Sequence, residues 1–277
     1  MLLNSDFNTF SNCFEVRLGE MLSPEQLGAF IQVLANSMQN ERLQAALAPQ
    51  LVTTFSALKE LHQQGSLTVS DDDSQVFIAL LKSGIEQYHA WEQKMVGPWR
   101  VAYNPLRALR PPRASKERFE SLMRAFDEQR FHFDKTFLKP EVLSEETFNG
   151  QTIRMLYQKF PFALYHLLIL LDPKGHHPQF MTEWAQLIAW ELTSRVAESL
   201  PGFGLAYNSL GASASVNHLH VHGFIEPDAF SIENKVWQHN GGKRPYPVPC
   251  HPAYSASECW KMIECLHSEN QPYNLLY

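Results

Sequence analysis

The 277-residue sequence predicts an α+β fold, a mainly antiparallel sheet with packed helices behind a helical N-terminal extension. Three observations predict it. Apolar residues recur at helical spacing through roughly the first 95 positions. Past Gly97 the texture changes to short β-like runs punctuated by Pro and Gly. Those runs do not alternate regularly with helices, as parallel βαβ units require, and one long helical stripe interrupts them.

The extension opens at Ser23-Pro24-Glu25-Gln26, where Ser suits an N-cap, Pro the first helical position and Gln the capping-box site. Leu27, Phe30, Ile31, Leu34 and Met38 follow at helical spacing. A second helical pattern runs from Leu43 to Leu61, closed by Gly65. The acidic run Asp71 to Asp73 suits the start of a third, which carries Val76, Leu80, Ile85, Tyr88 and Trp91. These stripes are packing faces and imply no chemistry. Strand-like runs occupy 99–104, 152–160, 164–171, 204–209 and 215–225. Between them Trp184, Ile188, Leu192, Val196 and Leu200 form the long helix, entered after the turn Asp172-Pro173-Lys174-Gly175. From Pro227 the tail is rich in Pro and aromatic residues, which predicts irregular chain with one helix near 258–268. Two units follow: a helical extension over 1–96 and an α+β domain over 97–277.

Hydrophobic residues make up 44% and charged residues 19%, the balance of a folded globular chain. A net charge of -6 excludes a protein whose main task is coating nucleic acid or an anionic membrane, since both need a dominant positive field. A small anionic ligand needs only a local basic cluster. Cys13, Cys250, Cys259 and Cys265 show no C-x-x-C pair and no regular framework, so they read as reduced thiols. The start, MLLNSDFNTF, has neither a basic n-region nor an apolar h-region, and no run is long enough to span a bilayer. A cytoplasmic enzyme is the expectation.

The chemistry concentrates in Asn217-His218-Leu219-His220-Val221-His222-Gly223-Phe224. Three histidines alternate with apolar residues in a strand-like run, so the imidazoles share one face while Leu219 and Val221 enter the core. That places a nucleophile, a base and a proton donor in one patch. The same H-x-H pattern on a strand also suits zinc, although no carboxylate or cysteine with ligand spacing follows it.

His218 to Phe224 resembles the H-φ-H-φ-H-φ-φ signature of the histidine triad superfamily, with Gly223 in one apolar slot. The run Ser213-Ala214-Ser215-Val216-Asn217 ahead of it, preceded by Tyr207-Asn208, is similar to the matching stretch of the GDP-hexose phosphorylases, the GDP-D-glucose and GDP-L-galactose enzymes. Further segments fit that family in order: Trp91-Glu92 in a helix before the first strand, Asn104-Pro105-Leu106-Arg107 with Arg110 and Arg113, Phe126-Asp127 with Phe131-His132-Phe133, and Leu156 to Pro161 through His166 to Pro173.

The resemblance implies a fold like that of the histidine triad proteins and a catalytic domain over 97–277. It assigns His220 as the nucleophile at the α-phosphorus, with His218 and His222 orienting it and binding phosphate oxygens and Ser215 bonding phosphate. A neutral imidazole suits that role near pH 7, and its phosphoramidate is reactive enough for an acceptor to discharge. Asn104, Arg107 and Arg110 are candidates to hold phosphate or nucleotide, as is Asn208. His166 is a candidate beside base or sugar, and Lys174, in a turn before a helix, a candidate anion contact.

The expected activity is nucleotidyl transfer or phosphorolysis, with no metal and no cofactor. Its partners are a nucleoside-diphosphate sugar or dinucleoside polyphosphate and phosphate or a sugar phosphate. No nucleic acid or membrane partner is expected, and a homodimer is compatible. Relatives of the plant type carry Gln where His222 stands, so the acceptor stays open between phosphate and water. Pro272 to Tyr277 looks like the beginning of a strand that relatives continue, which leaves the sheet or acceptor pocket incomplete. A nucleotide hydrolase, a metal-dependent hydrolase using the triad as ligands and a silent nucleotide-binding module remain the rivals.

Overall fold

Helix α1 (Phe7–Glu20) starts where the Asp6 side chain accepts the Thr9 amide at 2.9 Å, and it buries Phe10, Phe14 and Leu18 at i, i+4 spacing. The computed structural model describes residues 2–67, 71–109 and 119–277. This first helix lies within the extension foreseen over 1–96 but upstream of the first helix foreseen in it, at Ser23. Ser23 caps nothing: its carbonyl closes a turn onto the Gln26 amide at 3.2 Å, and α2 (Leu27–Ser37) begins without a side-chain cap. The capping-box expectation is therefore corrected. Helix α3 (Glu41–Gln63) is capped by Asn40, whose side chain accepts from Leu43. Helix α4 (Asp71–Ser83) stops at Gly84, held at φ +77°. Ile85, Tyr88 and Trp91, read as its continuation, are buried in irregular chain instead.

Strands β1 (Glu92–Val96) and β2 (Trp99–Tyr103) form a hairpin outside the main sheet, so Glu92 is in a strand and not in a helix. The hairpin is fastened at its turn end. Trp99 packs on Trp237 with ring centroids 5.1 Å apart, and Arg100 pairs with buried Glu226 at 2.8 Å. The short α5 (Pro105–Ala108) follows.

The main sheet contains β3 (Val142–Phe148), β4 (Gln151–Tyr157), β5 (Leu167–Leu171), β6 (Phe203–Asn208), β7 (His220–Ile225) and β8 (Asn274–Leu276). Their order is β3-β4-β5-β7-β6-β8, with every neighbour antiparallel. Helices α6 (Glu183–Ser199) and α7 (Ala256–Ser268) follow β5 and β7 in the chain. The α+β class and the antiparallel sheet are as the sequence predicts. Strand β3 was not foreseen, and of the expected run 215–225 only the part from His220 is strand. Among the described residues no helix is long and apolar enough to cross a membrane.

Register sorts the side chains onto two faces. Met155, Ile169 and Val221 align across β4, β5 and β7 and join one large core with Phe14 of α1 and Leu192 and Val196 of α6. On the opposite face Leu170 stands beside His220 and Leu168 beside His222. There Leu156, Leu168 and Leu170 form a second, smaller core with Phe133 and Leu138. Both faces of β5 are thus covered, which explains its continuous apolar sequence, Leu167-Leu168-Ile169-Leu170-Leu171.

Helix α2 spends buried polar groups on the chain between β4 and β5. Gln32 donates to the Tyr157 carbonyl at 2.9 Å, Asn36 to the Gln158 carbonyl at 2.8 Å, and the Gln39 side chain accepts the Tyr165 amide. These bonds satisfy backbone that leaves the ladder, and they hold the connection that carries His166.

Gly223 occupies an apolar slot of the histidine run because a Cβ there meets Ile169 Cδ1 at 2.5 Å inside the large core. Gly223→Val is expected to cost about 1–3 kcal/mol by overpacking, read as a lowered urea midpoint. An unchanged midpoint contradicts the packing argument.

Candidate active site

Strand β7 and the loop before it deliver the three histidines. His220 Nδ1 lies 2.7 Å from the His218 carbonyl oxygen. A carbonyl only accepts, so the ring proton sits on Nδ1 and the lone pair on Nε2. Among the described residues nothing bonds Nε2. Burial pushes the pKa of His220 down to about 4, which keeps the ring neutral at pH 7.

His222 takes the complementary tautomer. The Phe162 amide donates to His166 Nδ1 at 3.3 Å, so the proton of His166 is on Nε2. That nitrogen lies 3.0 Å from His222 Nδ1 and donates to it, leaving the His222 proton on Nε2. The two rings therefore present opposite functions on one face, a bare lone pair on His220 and an N–H donor on His222. Burial, with lesser contributions from His220 and Arg107, lowers the pKa of His222 to about 3. Fully buried His166 is likewise held well below the ordinary imidazole range by burial, then by His222 and Arg107.

His218 has a different position. Its Nδ1 accepts the Phe133 amide at 3.1 Å, and its other nitrogen faces the Pro173 carbonyl. The bond to the Phe133 amide ties the His218 ring to the loop ahead of β3. Burial, followed by His220, lowers its pKa to about 4. Phe133 also reaches His220, with ring centroids 4.9 Å apart.

The other residues singled out in the sequence divide into two groups. Half-exposed Arg107 donates to the Phe160 carbonyl at 2.8 Å and lies over the Phe162 ring at 5.3 Å. Phe162 in turn packs on His166 and His222, and no carboxylate among the described residues pairs with Arg107. Lys174 is exposed in the turn whose Pro173 carbonyl meets His218. Asn104 instead caps α5, accepting the Leu106 and Arg107 amides, and donates to the Pro161 carbonyl. It shapes the loop and points no free group at the triad. The Asn208 side chain is taken by Asn274, and Ser215 is exposed without a hydrogen-bond partner among the described residues. Arg110 and Arg113 lie outside the described residues.

Two features beside the triad escaped the sequence reading. Gln179, 1% exposed, bonds the backbone of His220 on both sides. Near Phe133 the same sheet face opens into a cavity of about 290 Å³ lined by Lys135, Leu138, Val142 and Arg154. Arg154 is tied at 2.6 Å to both Asp134 and Glu145; burial raises the pKa of Asp134, and Arg154 and then His176 outweigh it, holding the carboxyl below its ordinary range. Among the described residues no group of three His, Cys, Asp or Glu side chains is placed to hold a metal ion.

The buried imidazoles set a pH dependence. His218 and His220 titrate near 4 and His222 near 3 when folded, against 6.5 for a free ring. Between those limits the unfolded chain binds more protons, so stability falls as pH drops from about 6.5 toward 4. Each ring contributes a slope approaching about 1.4 kcal/mol per pH unit in that window. Urea midpoints measured from pH 7 to pH 4.5 are expected to fall steeply, and less steeply in His222→Gln. Parallel curves for the two proteins contradict the assignment.

Comparison with known proteins bears on the same segment. Residues 99–224 match the family model described as GDPGP1-like, N-terminal domain. GDP-D-glucose phosphorylase 1 from Danio rerio is 31% identical over 114 residues, 41% of this chain and 33% of that protein. The Homo sapiens protein of that name is 35% identical over 134 residues, 45% of this chain and 32% of its own. The Xenopus laevis protein reaches 44% over 71 residues, 25% of this chain and 17% of its own. The chain thus spans about a third or less of the length of these curated relatives. Yeast Ap4A phosphorylase Apa2 in complex with Ap4A superposes with a TM-score of 0.41 at 16% identity, covering 76% of this chain and 79% of that one. Over residues 99–224, the stretch that carries the triad, this chain is therefore similar to the N-terminal domain of GDPGP1-like proteins, and over less than half of its length it is similar to GDP-D-glucose phosphorylases.

Proposed function

We propose that this chain transfers a nucleotidyl group from a nucleoside-diphosphate sugar of the GDP-hexose kind to inorganic phosphate, through a covalent intermediate on His220. The observation that carries the reading is the 2.7 Å bond from His220 Nδ1 to the His218 carbonyl, which leaves a neutral ring with a bare Nε2. In this reading residues 97–277 are the catalytic unit and residues 1–96 brace it.

The His220 Nε2 lone pair forms a bond to the α-phosphorus while the bond from that phosphorus to the bridging oxygen breaks, releasing hexose 1-phosphate. The His222 Nε2–H donates a hydrogen bond to the departing oxygen, a phosphate oxygen that leaves as an anion and needs no proton. The substituted ring of His220 is cationic, and its Nδ1–H stays on the His218 carbonyl, which stabilises the charge. Phosphate then attacks the same phosphorus and the N–P bond returns its electron pair to Nε2, so the His220 ring is neutral again and the acceptor's proton stays with the product. The nucleoside diphosphate leaves. Arg107, without a carboxylate partner among the described residues, supplies positive charge beside His222 for the phosphates.

The test uses donors labelled at the α-phosphate: GDP-D-glucose, other nucleoside-diphosphate sugars and dinucleoside polyphosphates. Alkaline denaturing quench is expected to leave base-stable, acid-labile label on the peptide holding His218 to His222, and phosphate is expected to clear it faster than water. His220→Gly should carry no label with an unchanged circular dichroism spectrum, whereas His222→Gln, still a hydrogen-bond donor, should slow labelling by about 10–100-fold. Turnover without label overturns the covalent step, and clearance by water alone makes the protein a hydrolase. Activity lost to a chelator and restored by zinc assigns the triad to a metal. Nucleotide binding without turnover of any donor leaves a binding module.

A further inference from the structure

The strand that carries the nucleophile is incomplete on one side. Strand β6 pairs with β7 from Phe203↔Ile225 to Ala206↔His222 and then diverges, so Asn208 does not meet His220 across the ladder. Peptide groups left this way in a buried strand need partners. The side chain of Gln179 occupies the gap. Its Oε1 accepts the His220 amide at 2.9 Å, and its Nε2 donates to the His220 carbonyl at 3.0 Å and to the Asn208 carbonyl at 2.9 Å. A primary amide carries the acceptor and donors of a peptide group, and here it replaces one rung of the sheet.

The residue is itself held from both ends. Its backbone amide donates to the Asn217 side chain at 3.0 Å, and its carbonyl accepts the Tyr207 hydroxyl at 3.1 Å. Two residues earlier, the His177 carbonyl accepts the Leu219 amide at 2.8 Å. That amide shares a peptide plane with the His218 carbonyl, the oxygen that receives His220 Nδ1–H. The next plane, joining Leu219 to His220, is pinned by Gln179 Oε1. Two consecutive peptide planes that together aim the nucleophile are therefore fixed by one short segment, 177–179.

We infer that Gln179 is a positioning residue: its amide, acting as a substitute strand rung, fixes the backbone of His220 so that the ring keeps its Nδ1–H on the His218 carbonyl and its Nε2 toward the substrate. The role in turnover rests on the proposed nucleotidyl transfer, whereas the role in fixing the ring does not.

The test compares the full-length protein with Gln179→Met, which keeps the length of the side chain and removes its hydrogen bonds. Nitrogen-15 NMR of the imidazoles, without substrate, is expected to show His220 as the single Nδ1–H tautomer in the parent and as a tautomer mixture in the variant. Leu192→Ala, in the core behind the sheet, serves as a control for lost stability and should leave the His220 signals in place. With an active donor, labelling of His220 should slow by about 100-fold in Gln179→Met, the scale of a small misplacement of a reacting group, with donor affinity changed less than about threefold. If Gln179→Met does not fold, Gln179→Glu retains the acceptor for the His220 amide and should give a smaller admixture of the second tautomer. Unchanged His220 signals in the folded variant overturn the inference. If no donor labels the parent protein, the proposed reaction fails while the NMR comparison still decides the role of Gln179.

Discussion

The hydrogen bond from His220 Nδ1 to the carbonyl of His218 is the constraint around which the site is arranged. An imidazole is useful as a nucleophile only if its lone pair is on the outward nitrogen, and in water the two neutral tautomers interconvert freely. A backbone carbonyl two residues away resolves that ambiguity because it has no proton to offer. The carbonyl must then be aimed, and the Leu219 amide on the same peptide plane is bonded to His177 for that purpose. His218 itself is anchored through Nδ1 to the Phe133 amide, with Pro173 beside the ring. These groups come from three loops, ahead of β3, after β5 and ahead of β7, so the loops, the sheet and the tautomer of His220 are mutually dependent.

Burial gives the second half of the design. Four imidazoles, His166, His218, His220 and His222, are all less than 10% exposed. Desolvation disfavours their charged forms, so the group stays neutral where isolated histidines are partly protonated. Neutrality is what permits the chain Phe162 amide, His166, His222 to transmit a defined tautomer, since a protonated ring anywhere along it donates from both nitrogens and erases the direction. The N-terminal helices enter here. Through Gln32 and Asn36 of α2 and Gln39 in the turn after it, the helical segment holds the irregular connection that places His166, joined to the site through backbone hydrogen bonds.

How far the sequence reveals this depends on whether a feature is periodic. The alternation of His220, Val221 and His222 is a local rule of strands, and the two rings do share a face with Val221 in the core behind them. The helical stripe of α6 was legible for the same reason, whereas the polar edge strand β3, with Ser144-Glu145-Glu146-Thr147 in sequence, shows no clear alternation. His218 looks equivalent to its neighbours in sequence but precedes the strand, and its partners come from residues 85 and 45 positions upstream, Phe133 and Pro173. Asn104 was read as a ligand although Asn-Pro is also a helix start, and the local rule prevailed. Gln179, between Pro178 and Phe180 in irregular chain, belongs to no pattern. Its role exists only because two strands part beside it.

The distribution of charge and of hydrogen-bond donors on the triad face adds a direction to the site. Arg154, two strands away from His220, is held by Asp134 and Glu145 beside a cavity near Phe133 that Lys135 and Lys139 also line. Arg107, at the end near His222, has no carboxylate partner among the described residues and lies against Phe162 and the His166–His222 pair. Positive side chains thus stand at both ends of the face, and the direction of the proposed reaction follows from His222. Its Nε2–H, a hydrogen-bond donor beside the His220 lone pair, stabilises an oxygen that departs toward Arg107 as the α-phosphorus meets His220 Nε2.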